Sequence, residues 1–342
     1  MPLHKGHELM IEMAASSLDE LVIIVQSNYD FVHGQNRLDS DDRAKLIALK
    51  YAQYRNIKVV SHEYNVNDAE KYDKFGTAID EKFWDIWTEI FHMYCPNATH
   101  VVSSDRYGQE MAARLSTRYK KDVEWFPVDP DRELFNISAT KIRANPIENW
   151  KYISKEFRPF LVKKVVVVGA ESSGKSTLVK DLATSFKSLA VPEYGRILSE
   201  AKFNNLDLQD FVDIADRHTA IVKKATEETE TGLVFVDTER LITFLYYSIY
   251  CDSEEPALEL LPVGNVADFF DLYVLVEPNI PWVDDGTRVQ PDQQEREEFF
   301  ANLTELLDRF GLQDQVMRLA ETNRKKRVAL ISDEMENRGF FG

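Results

Sequence analysis

The feature that most constrains this chain is the stretch from Lys163 to Leu178, KKVVVVGAESSGKSTL. Its four consecutive valines, 165–168, predict a strand that is buried on both faces, as in a parallel sheet. The strand pattern breaks at Gly169, and residues 174–176 complete the spacing G-x-x-x-x-G-K-[ST] at the start of a helical pattern. A strand, a glycine-bounded loop and a helix in this order predict an α/β domain that binds phosphate.

Each residue type in this loop has a mechanical reason to be there. Glycine accepts backbone conformations that a side chain would block, so successive N–H groups turn toward phosphate oxygens. Lys175 supplies a cation for the β- and γ-phosphates, and Ser176 supplies a hydroxyl for Mg²⁺. The sequence therefore predicts binding of ATP or GTP with Mg²⁺, and the residues predicted to contact the nucleotide are Gly169, Glu171, Ser172, Ser173, Gly174, Lys175, Ser176 and Thr177.

Two carboxylates follow predicted strands in the same part of the chain. Glu193 comes after the short apolar run 189–192, and Asp237 comes after the run 233–236. Residues that directly follow the strands of a parallel sheet face the nucleotide crevice. Asp237 is predicted to hold Mg²⁺ or to orient an acceptor hydroxyl, and Glu193 to accept that hydroxyl's proton. The two roles are interchangeable on sequence grounds, and either acid could instead serve only as a charge partner for a helix N-terminus.

A polar stretch further along, Trp282 to Arg288, has the composition of a mobile lid. Gly286 gives it flexibility, and Arg288 is predicted to close over the transferring phosphate as a cation. The alternative is a polar surface loop without a role in catalysis.

The first 150 residues alternate helix and strand patterns, which predicts parallel βαβ units. Near the start, His4 and His7 flank Lys5 and Gly6 at the mouth of a predicted helix. Paired histidines there contact phosphate, form half of a metal site, or are satisfied structural residues. Near the end, the run 137–143 (ISATKIR) places hydroxyls at a helix N-terminus and basic residues in the next turn. A helix collects phosphate in this way, although a capped surface helix has the same pattern.

Composition limits the classes of protein to which this chain can belong. Its 342 residues suffice for two domains, and its net charge of −17 argues against a nucleic-acid backbone as partner. The basic run 324–327 (RKKR) is predicted to be a solvated helix end rather than a nucleic-acid patch. Two cysteines exclude a disulfide framework and indicate a reducing, cytoplasmic location. No apolar run is long enough to predict a membrane span or a signal peptide.

Taken together and in order, the H-x-G-H cluster at 4–7, the I-S-x-T-x-x-R cluster at 137–143 and the phosphate loop resemble one known family. It is the bifunctional nicotinamide mononucleotide adenylyltransferase and ribosylnicotinamide kinase family. The similarity extends to PEYGR at 192–196, FVDTE at 235–239 and WVDDGTR at 282–288, so it covers nearly the whole chain. The joined order of these motifs is much more specific than any one of them.

The resemblance implies a transferase of NAD salvage with ATP, nicotinamide riboside and nicotinamide mononucleotide (NMN) as its small-molecule partners. It implies that the kinase part phosphorylates the riboside with ATP and Mg²⁺, and that the first part adenylylates NMN to NAD. The residues that it assigns to the adenylylation site are His4 and His7 on the triphosphate, and Ser138, Thr140 and Arg143 on the β- and γ-phosphates.

The expected architecture is a nucleotidyltransferase-type Rossmann-like parallel sheet over residues 1–157, followed by a P-loop kinase α/β domain over 158–342. Family members carry a strand and a G-x-F-x-P turn ahead of H-x-G-H, whereas only Met1 to Leu3 precede His4 here. The first strand is therefore expected to be missing from the first domain, which weakens adenylyl transfer.

Two other readings remain open: a kinase whose first domain is an inactive scaffold, and a regulator that senses NAD or ATP without turnover. Trp84 and Trp87 share one helical face, either as core residues or with one of them stacked on nicotinamide. The sequence does not fix the oligomeric state, and a homo-oligomer is compatible with it.

Overall fold

The computed structural model describes residues 2–28, 38–64, 81–202, 206–251, 270–282 and 292–341. The chain divides into two compact units. The first comprises Met1–Ala144 with Lys151–Phe160, and the second comprises Asn145–Trp150 with Leu161–Gly342. The segment 145–150 thus belongs to the second unit, although it precedes the end of the first in sequence.

The first unit alternates helices and strands, as the sequence predicts. Its described elements are α1 (Lys5–Ser17), β1 (Leu21–Asn28), α2 (Ser40–Lys50), β2 (Ile57–Tyr64), α3 (Glu81–Tyr94), β3 (His100–Ser103), α4 (Tyr107–Tyr119), β4 (Glu124–Pro127) and α5 (Ala139–Ala144). The 3₁₀ turns Trp150–Tyr152 and Lys155–Phe160 follow, the first of them beginning in the segment of the second unit.

The described strands of the first unit form two parallel pairs. Strand β1 pairs with β2 from Leu21↔Ile57 onward, and β3 pairs with β4 from His100↔Glu124 onward. These pairs form two separate two-stranded sheets among the described residues. The described residues ahead of His4 form no strand, and His4 makes an isolated antiparallel bridge with Ile153.

Helices α3 and α4 cover the β3–β4 pair with apolar side chains. Trp84, on α3, is buried in a cluster with Val101 of β3 and Met111 of α4. Arg114 of α4 stacks over the Trp84 ring, with its guanidinium carbon 5.1 Å from the ring centroid. Trp84 is thus a core residue in the structure, and Trp87 packs at the edge of the same cluster.

The second unit is built on one parallel sheet. Its described elements are β5 (Lys163–Gly169), α6 (Lys175–Ser185), β6 (Leu189–Val191), α7 (Tyr194–Lys202), α8 (Leu208–Glu228), β7 (Leu233–Asp237), α9 (Arg240–Cys251), β8 (Leu272–Val276), α10 (Gln293–Arg309), the 3₁₀ turn Gln313–Gln315, β9 (Val316–Leu319) and α11 (Arg324–Asn337). The five strands lie in the order β6-β7-β5-β8-β9, all parallel.

Strand β5 occupies the middle of this sheet, between β7 and β8. Its four valines, 165–168, are fully buried, which confirms that the apolar run forms a strand covered on both faces. On one face, Leu178 and Leu182 of α6 pack with Ile331 and Met335 of α11 against the sheet. Both units therefore have the expected α/β class with parallel strands, and no helix in the described ranges is long and apolar enough to cross a membrane.

The segment 145–150 is held on the second unit by an aromatic contact. Trp150 is buried, and its indole N–H donates to the Thr229 carbonyl at 3.4 Å. The indole ring lies directly against Gly232, whose carbonyl accepts a 2.8 Å hydrogen bond from the Lys163 N–H at the start of β5. A Cβ on Gly232 would lie 2.7 Å from the Trp150 ring, and the φ of this glycine is +76°.

We therefore expect Gly232→Ala to destabilise the second unit by about 2–4 kcal/mol, the sum of left-handed backbone strain and overpacking. The matched control is Gly311→Ala. Gly311 has a φ of +69° and open space where the Cβ would lie, so its substitution carries the backbone cost alone, about 1 kcal/mol. Urea unfolding followed by tryptophan fluorescence measures both. An equal decrease in unfolding free energy in the two variants would show that the Trp150 ring moves aside for the new methyl group at no cost.

Candidate functional site

The phosphate loop leaves β5 at Gly169, at the carboxyl edge of the sheet. A Cβ at this position would lie 2.5 Å from the carbonyl oxygen of Val276 on β8, and the φ is +149°. Since that carbonyl belongs to a strand of the sheet, it cannot move aside, and only glycine fits here. The neighbouring strand therefore imposes the first glycine of the motif.

Inside the loop, hydrogen bonds hold the backbone in a tight turn. The Ser173 hydroxyl is buried and donates to the Ala170 carbonyl at 2.8 Å, and Ser172 adopts a left-handed φ of 59°. The Lys175 ammonium donates to the same Ala170 carbonyl at 2.9 Å. A left-handed non-glycine residue and a buried cation are costly, and such strain is concentrated at binding sites. Both features point to an anion as the natural occupant of the loop.

The two predicted carboxylates meet beside this lysine. Strands β6 and β7 are neighbours, so Glu193, two residues after β6, and Asp237, the last residue of β7, lie close together. Burial raises the pKa of Glu193, and the charge of Asp237 raises it further, while Lys175 opposes both effects. Burial also raises the pKa of Asp237, against the lowering effects of Lys175 and the Ser176 hydroxyl. The structure thus brings together four of the side chains that the sequence singles out.

One carboxylate oxygen in this cluster lacks a hydrogen-bond partner. Asp237 is buried, and its Oδ1 bonds to none of the described residues. A buried, unsatisfied carboxylate oxygen beside a serine hydroxyl fits Mg²⁺, which binds proteins through one or two oxygen ligands and completes its shell with water and phosphate. No group of three or more histidine, cysteine or acidic side chains among the described residues forms a closed metal site.

Two further charged residues near this site lie beyond the sequence-based prediction. Arg196, on α7, makes a 3.7 Å ion pair with Glu193 and is signalled only by its place in the PEYGR motif. Glu239 follows Asp237 closely and is buried, and burial raises its pKa to about 7. Its position in the FVDTE motif is the signal that could have found it.

The prediction of a solvated basic run at 324–327 is wrong for its last member. Arg324 is exposed and pairs with Asp181 of α6, as a solvated helix end would. Arg327, in contrast, is 3% exposed and points into the unit against the phosphate loop. The reason is helical geometry: Arg327 precedes the buried Ile331 and Met335 by four and eight positions, so it shares the face of α11 that packs on the unit.

The histidine cluster of the first unit opens α1. His4 is the N-cap of this helix, which therefore begins at Lys5, and its Nδ1 accepts a 3.4 Å hydrogen bond from the His7 N–H. The two imidazole rings stack with centroids 3.7 Å apart. Burial, followed by the charge of Arg132, lowers the pKa of His4 to about 4. Burial and His4 lower the pKa of His7 to about 3. Both rings are therefore neutral at pH 7.

The second cluster of this unit lies beside the histidines. The Ile137 side chain is 3.9 Å from the position of a Cβ on Gly6, so the two motifs are neighbours in the fold. The Ser138 hydroxyl caps α5 by accepting from the Lys141 N–H at 3.2 Å, and Thr140 Oγ1 accepts from Arg143 at 3.2 Å. Burial lowers the pKa of Arg143. Hydroxyls, a helix N-terminus and an arginine thus lie in the motif that neighbours the one with the neutral histidines, an arrangement that suits a triphosphate.

The predicted lid lies outside the described residues except for Trp282, so the position of Arg288 is not among those described. The remaining loop residues, Glu171, Gly174 and Thr177, occupy the turn between β5 and α6 and the start of that helix, where the motif requires them. Glu171 and Ser172 both take part in further interactions.

Two family descriptions match the sequence, one for each unit. Residues 2–145 match the cytidylyltransferase-like family, and residues 164–327 match the AAA domain family. The first agrees with a nucleotidyltransferase unit, and the second with a unit built around a phosphate loop.

Similarity to individual proteins covers almost the whole chain. The trifunctional NAD biosynthesis/regulator protein NadR of Salmonella typhimurium is 31% identical over 320 residues, which span 90% of this chain and 74% of that protein. A crystal structure of a NadR protein in complex with NAD and AMP-PNP matches with a TM-score of 0.74 at 28% identity, over 99% of this chain and 93% of the other. A NadR structure in complex with NR gives 0.71 at 26% identity, over 100% and 93%.

The matches to both units, in the same order and over nearly all residues, agree with the two clusters of site residues and confirm the resemblance seen in the motifs. This chain belongs to the NadR family, the bifunctional nicotinamide mononucleotide adenylyltransferases and ribosylnicotinamide kinases.

Proposed function

We propose that this chain carries out both reactions of its family with the residues described above. The kinase unit transfers the γ-phosphoryl group of ATP to the 5′-hydroxyl of nicotinamide riboside, and the first unit joins the resulting NMN to the AMP part of ATP. The observation that carries the proposal is the meeting of Lys175 with the half-buried Glu193 and the buried Asp237 at the carboxyl edge of a parallel sheet. A cytoplasmic location, where ATP is abundant, accompanies it.

In the kinase reaction, most of the catalytic effect comes from positioning and charge. When ATP binds, the Lys175 ammonium leaves the Ala170 carbonyl for the β- and γ-phosphates, a movement of one flexible side chain. Ser176 and the free Oδ1 of Asp237 would hold Mg²⁺, which neutralises phosphate charge. The riboside hydroxyl attacks the γ-phosphorus as the bond to the β-phosphate oxygen breaks, and ADP leaves.

The proton of the attacking hydroxyl passes to a carboxylate of the pair. The raised pKa values of Glu193 and Asp237 suit this task, because a carboxylate that holds a proton more readily is a better general base near neutral pH. Glu193, which is not required for the metal, is our choice for the base. Arg288 is proposed to close over the transferring phosphate, from its place in the WVDDGTR motif.

In the adenylylation reaction, the NMN phosphate attacks the α-phosphorus of ATP and pyrophosphate leaves. His4 and His7, whose lowered pKa values make both rings neutral at pH 7, donate N–H groups to the triphosphate, and the anion in turn favours their protonation. Ser138, Thr140 and Arg143 hold the β- and γ-phosphates, which depart as pyrophosphate. No protein nucleophile takes part.

The first test of this function is Lys175→Ala. Removal of the cation from the β- and γ-phosphates should lower kcat/KM for riboside phosphorylation by at least about 10²-fold. Mass spectrometry of NMN formed from nicotinamide riboside and ATP-Mg²⁺ provides the measurement. Lys224→Ala, which removes an exposed lysine of the same unit, is the control and should leave the rate unchanged. Near-normal turnover in Lys175→Ala would show that this loop does not take part in catalysis.

The raised pKa of Glu193 makes the stability of the second unit depend on pH. Glu193 has a pKa of 4.5 in the unfolded chain and a higher pKa in the folded protein. Folding therefore becomes less favourable as the pH rises from 4.5 through the folded-state pKa, because the buried environment disfavours the ionised carboxylate. Glu193→Gln cannot ionise, so it should be more stable than the wild type at pH 7.5 and lose that advantage at pH 4.5. Thermal unfolding at both pH values measures this, with the exposed Glu200→Gln as control. A pH-independent difference would contradict the proposed burial effect.

His7→Ala separates the two reactions. Loss of one phosphate donor should lower NAD formation from NMN and ATP by about 10²-fold or more, while riboside phosphorylation in the same sample stays at the wild-type rate. The kinase rate is thus the internal control for folding. Unchanged NAD formation would show that the histidines do not act in adenylylation, and a wild-type chain without any NAD formation would favour the first unit as a scaffold.

A further inference from the structure

Arg327 occupies an unusual place for an arginine in a basic run. It lies in the first turn of α11, near the C-terminal end of the chain, yet it is buried against the phosphate loop 154 positions earlier. A Cβ placed on Gly174 would lie 3.0 Å from Arg327 Nη1, so the guanidinium is in direct contact with the end of the loop.

The guanidinium group bonds to backbone carbonyls and to no carboxylate. Its Nη1 donates to the Ser173 carbonyl at 2.9 Å, and its Nε donates to the carbonyl of Glu321. Its Nη2 is buried and has no partner among the described residues. No described carboxylate forms an ion pair with Arg327, so no direct contact neutralises its charge beside the loop. Burial lowers the pKa of Arg327, and the charge of Glu321 opposes this shift.

The bond to Ser173 acts on the peptide unit that joins Ser173 to Gly174. In a trans peptide, the carbonyl and the following N–H point in opposite directions. Because Arg327 holds the carbonyl on the side of α11, the N–H of Gly174 points away from α11. Phosphate loops bind anions through such N–H groups, and a charge-assisted bond to the carbonyl is about twice as strong as a neutral one.

We propose that Arg327 is a positioning residue of the kinase site: it fixes the Ser173–Gly174 peptide so that the Gly174 N–H is aimed at the nucleotide's phosphates. It also adds a positive charge behind the loop, in no ion pair with a described carboxylate, and this charge favours an anion in front of the loop. The proposal rests on the ATP-dependent kinase function given above, because the peptide matters only if this loop holds a nucleotide.

An arginine suits this position better than a lysine. The planar guanidinium donates along fixed directions, which lets it join two carbonyls from distant segments, the loop at Ser173 and the turn at Glu321. A lysine would keep the charge but bond to only one of these carbonyls at full strength. The two properties, charge and geometry, are therefore separable by substitution.

The test compares nucleotide binding in Arg327→Gln and Arg327→Lys. Calorimetric titration with AMP-PNP and Mg²⁺ measures affinity without any acceptor, and the KM for ATP and kcat are measured with nicotinamide riboside. Loss of a hydrogen bond from a charged donor predicts AMP-PNP binding weaker by about 10- to 100-fold in Arg327→Gln, and a smaller loss in Arg327→Lys. The KM for ATP should rise in parallel.

Arg324→Gln is the matched control, because it removes an arginine from the same helical turn that contacts α6 at the surface instead. It should bind AMP-PNP as the wild type does. Melting temperatures without nucleotide report on folding: a purely structural Arg327 would lower them and leave affinity unchanged in the folded fraction. Wild-type affinity in folded Arg327→Gln, or in Arg327→Lys should the first variant not fold, would overturn the proposal. If the wild type binds AMP-PNP but does not phosphorylate the riboside, the proposed function is contradicted. The role of Arg327 in nucleotide binding is still tested by the affinities for AMP-PNP.

Discussion

The kinase unit depends on the burial of β5 between β7 and β8. Four fully buried valines hold this strand in the middle of the sheet, so its carboxyl end is fixed relative to both neighbours. From one neighbour, the Val276 carbonyl sets the position of Gly169, and from the other, Asp237 lies beside the lysine that follows the loop. The geometry of the site thus follows from apolar packing, which is the dominant favourable term in folding.

Several polar groups at this edge are buried with incomplete hydrogen bonding. Asp237 keeps an unpartnered oxygen, Arg327 keeps an unpartnered nitrogen, and Lys175 bonds to a carbonyl of its own loop. Buried polar groups without hydrogen-bond partners lower the free energy of unfolding, and the apolar packing of the surrounding core offsets this loss. Because Asp237 and Lys175 are already desolvated beside the loop, Mg²⁺ and nucleotide meet prepared charges of both signs, and only the Lys175 side chain has to move. The same balance holds in the first unit, where burial keeps both histidines neutral.

Local patterns were enough to predict the elements around each motif. Neighbours in sequence determine the structure of the valine run and of the glycine-bounded loop. The acids after strands could be placed because the carboxyl ends of parallel strands lie at one edge of the sheet. Helix α1 begins at Lys5 with His4 as its N-cap, so the histidine cluster lies at the mouth of the helix, where the sequence predicts it. The burial of Arg327, in contrast, was missed. A run of four basic residues looks solvated in sequence, and only the packing of α11 against α6 shows which member turns inward.

The contacts that sequence could not reveal have one property in common, which is that they join segments far apart in the chain. The charge of Arg132 lowers the pKa of His4, although the two residues are more than a hundred positions apart in the chain. Trp150 likewise packs against Gly232, next to the start of β5. Such contacts depend on the whole fold, because each partner is positioned by a different element. The last helix illustrates what this implies for the kinase site. Since α11 packs on the phosphate-loop helix and Arg327 bonds to the loop itself, the loop is complete only when the C-terminal part of the unit has folded. Nucleotide binding is then coupled to the cooperative folding of the entire unit rather than to the loop alone.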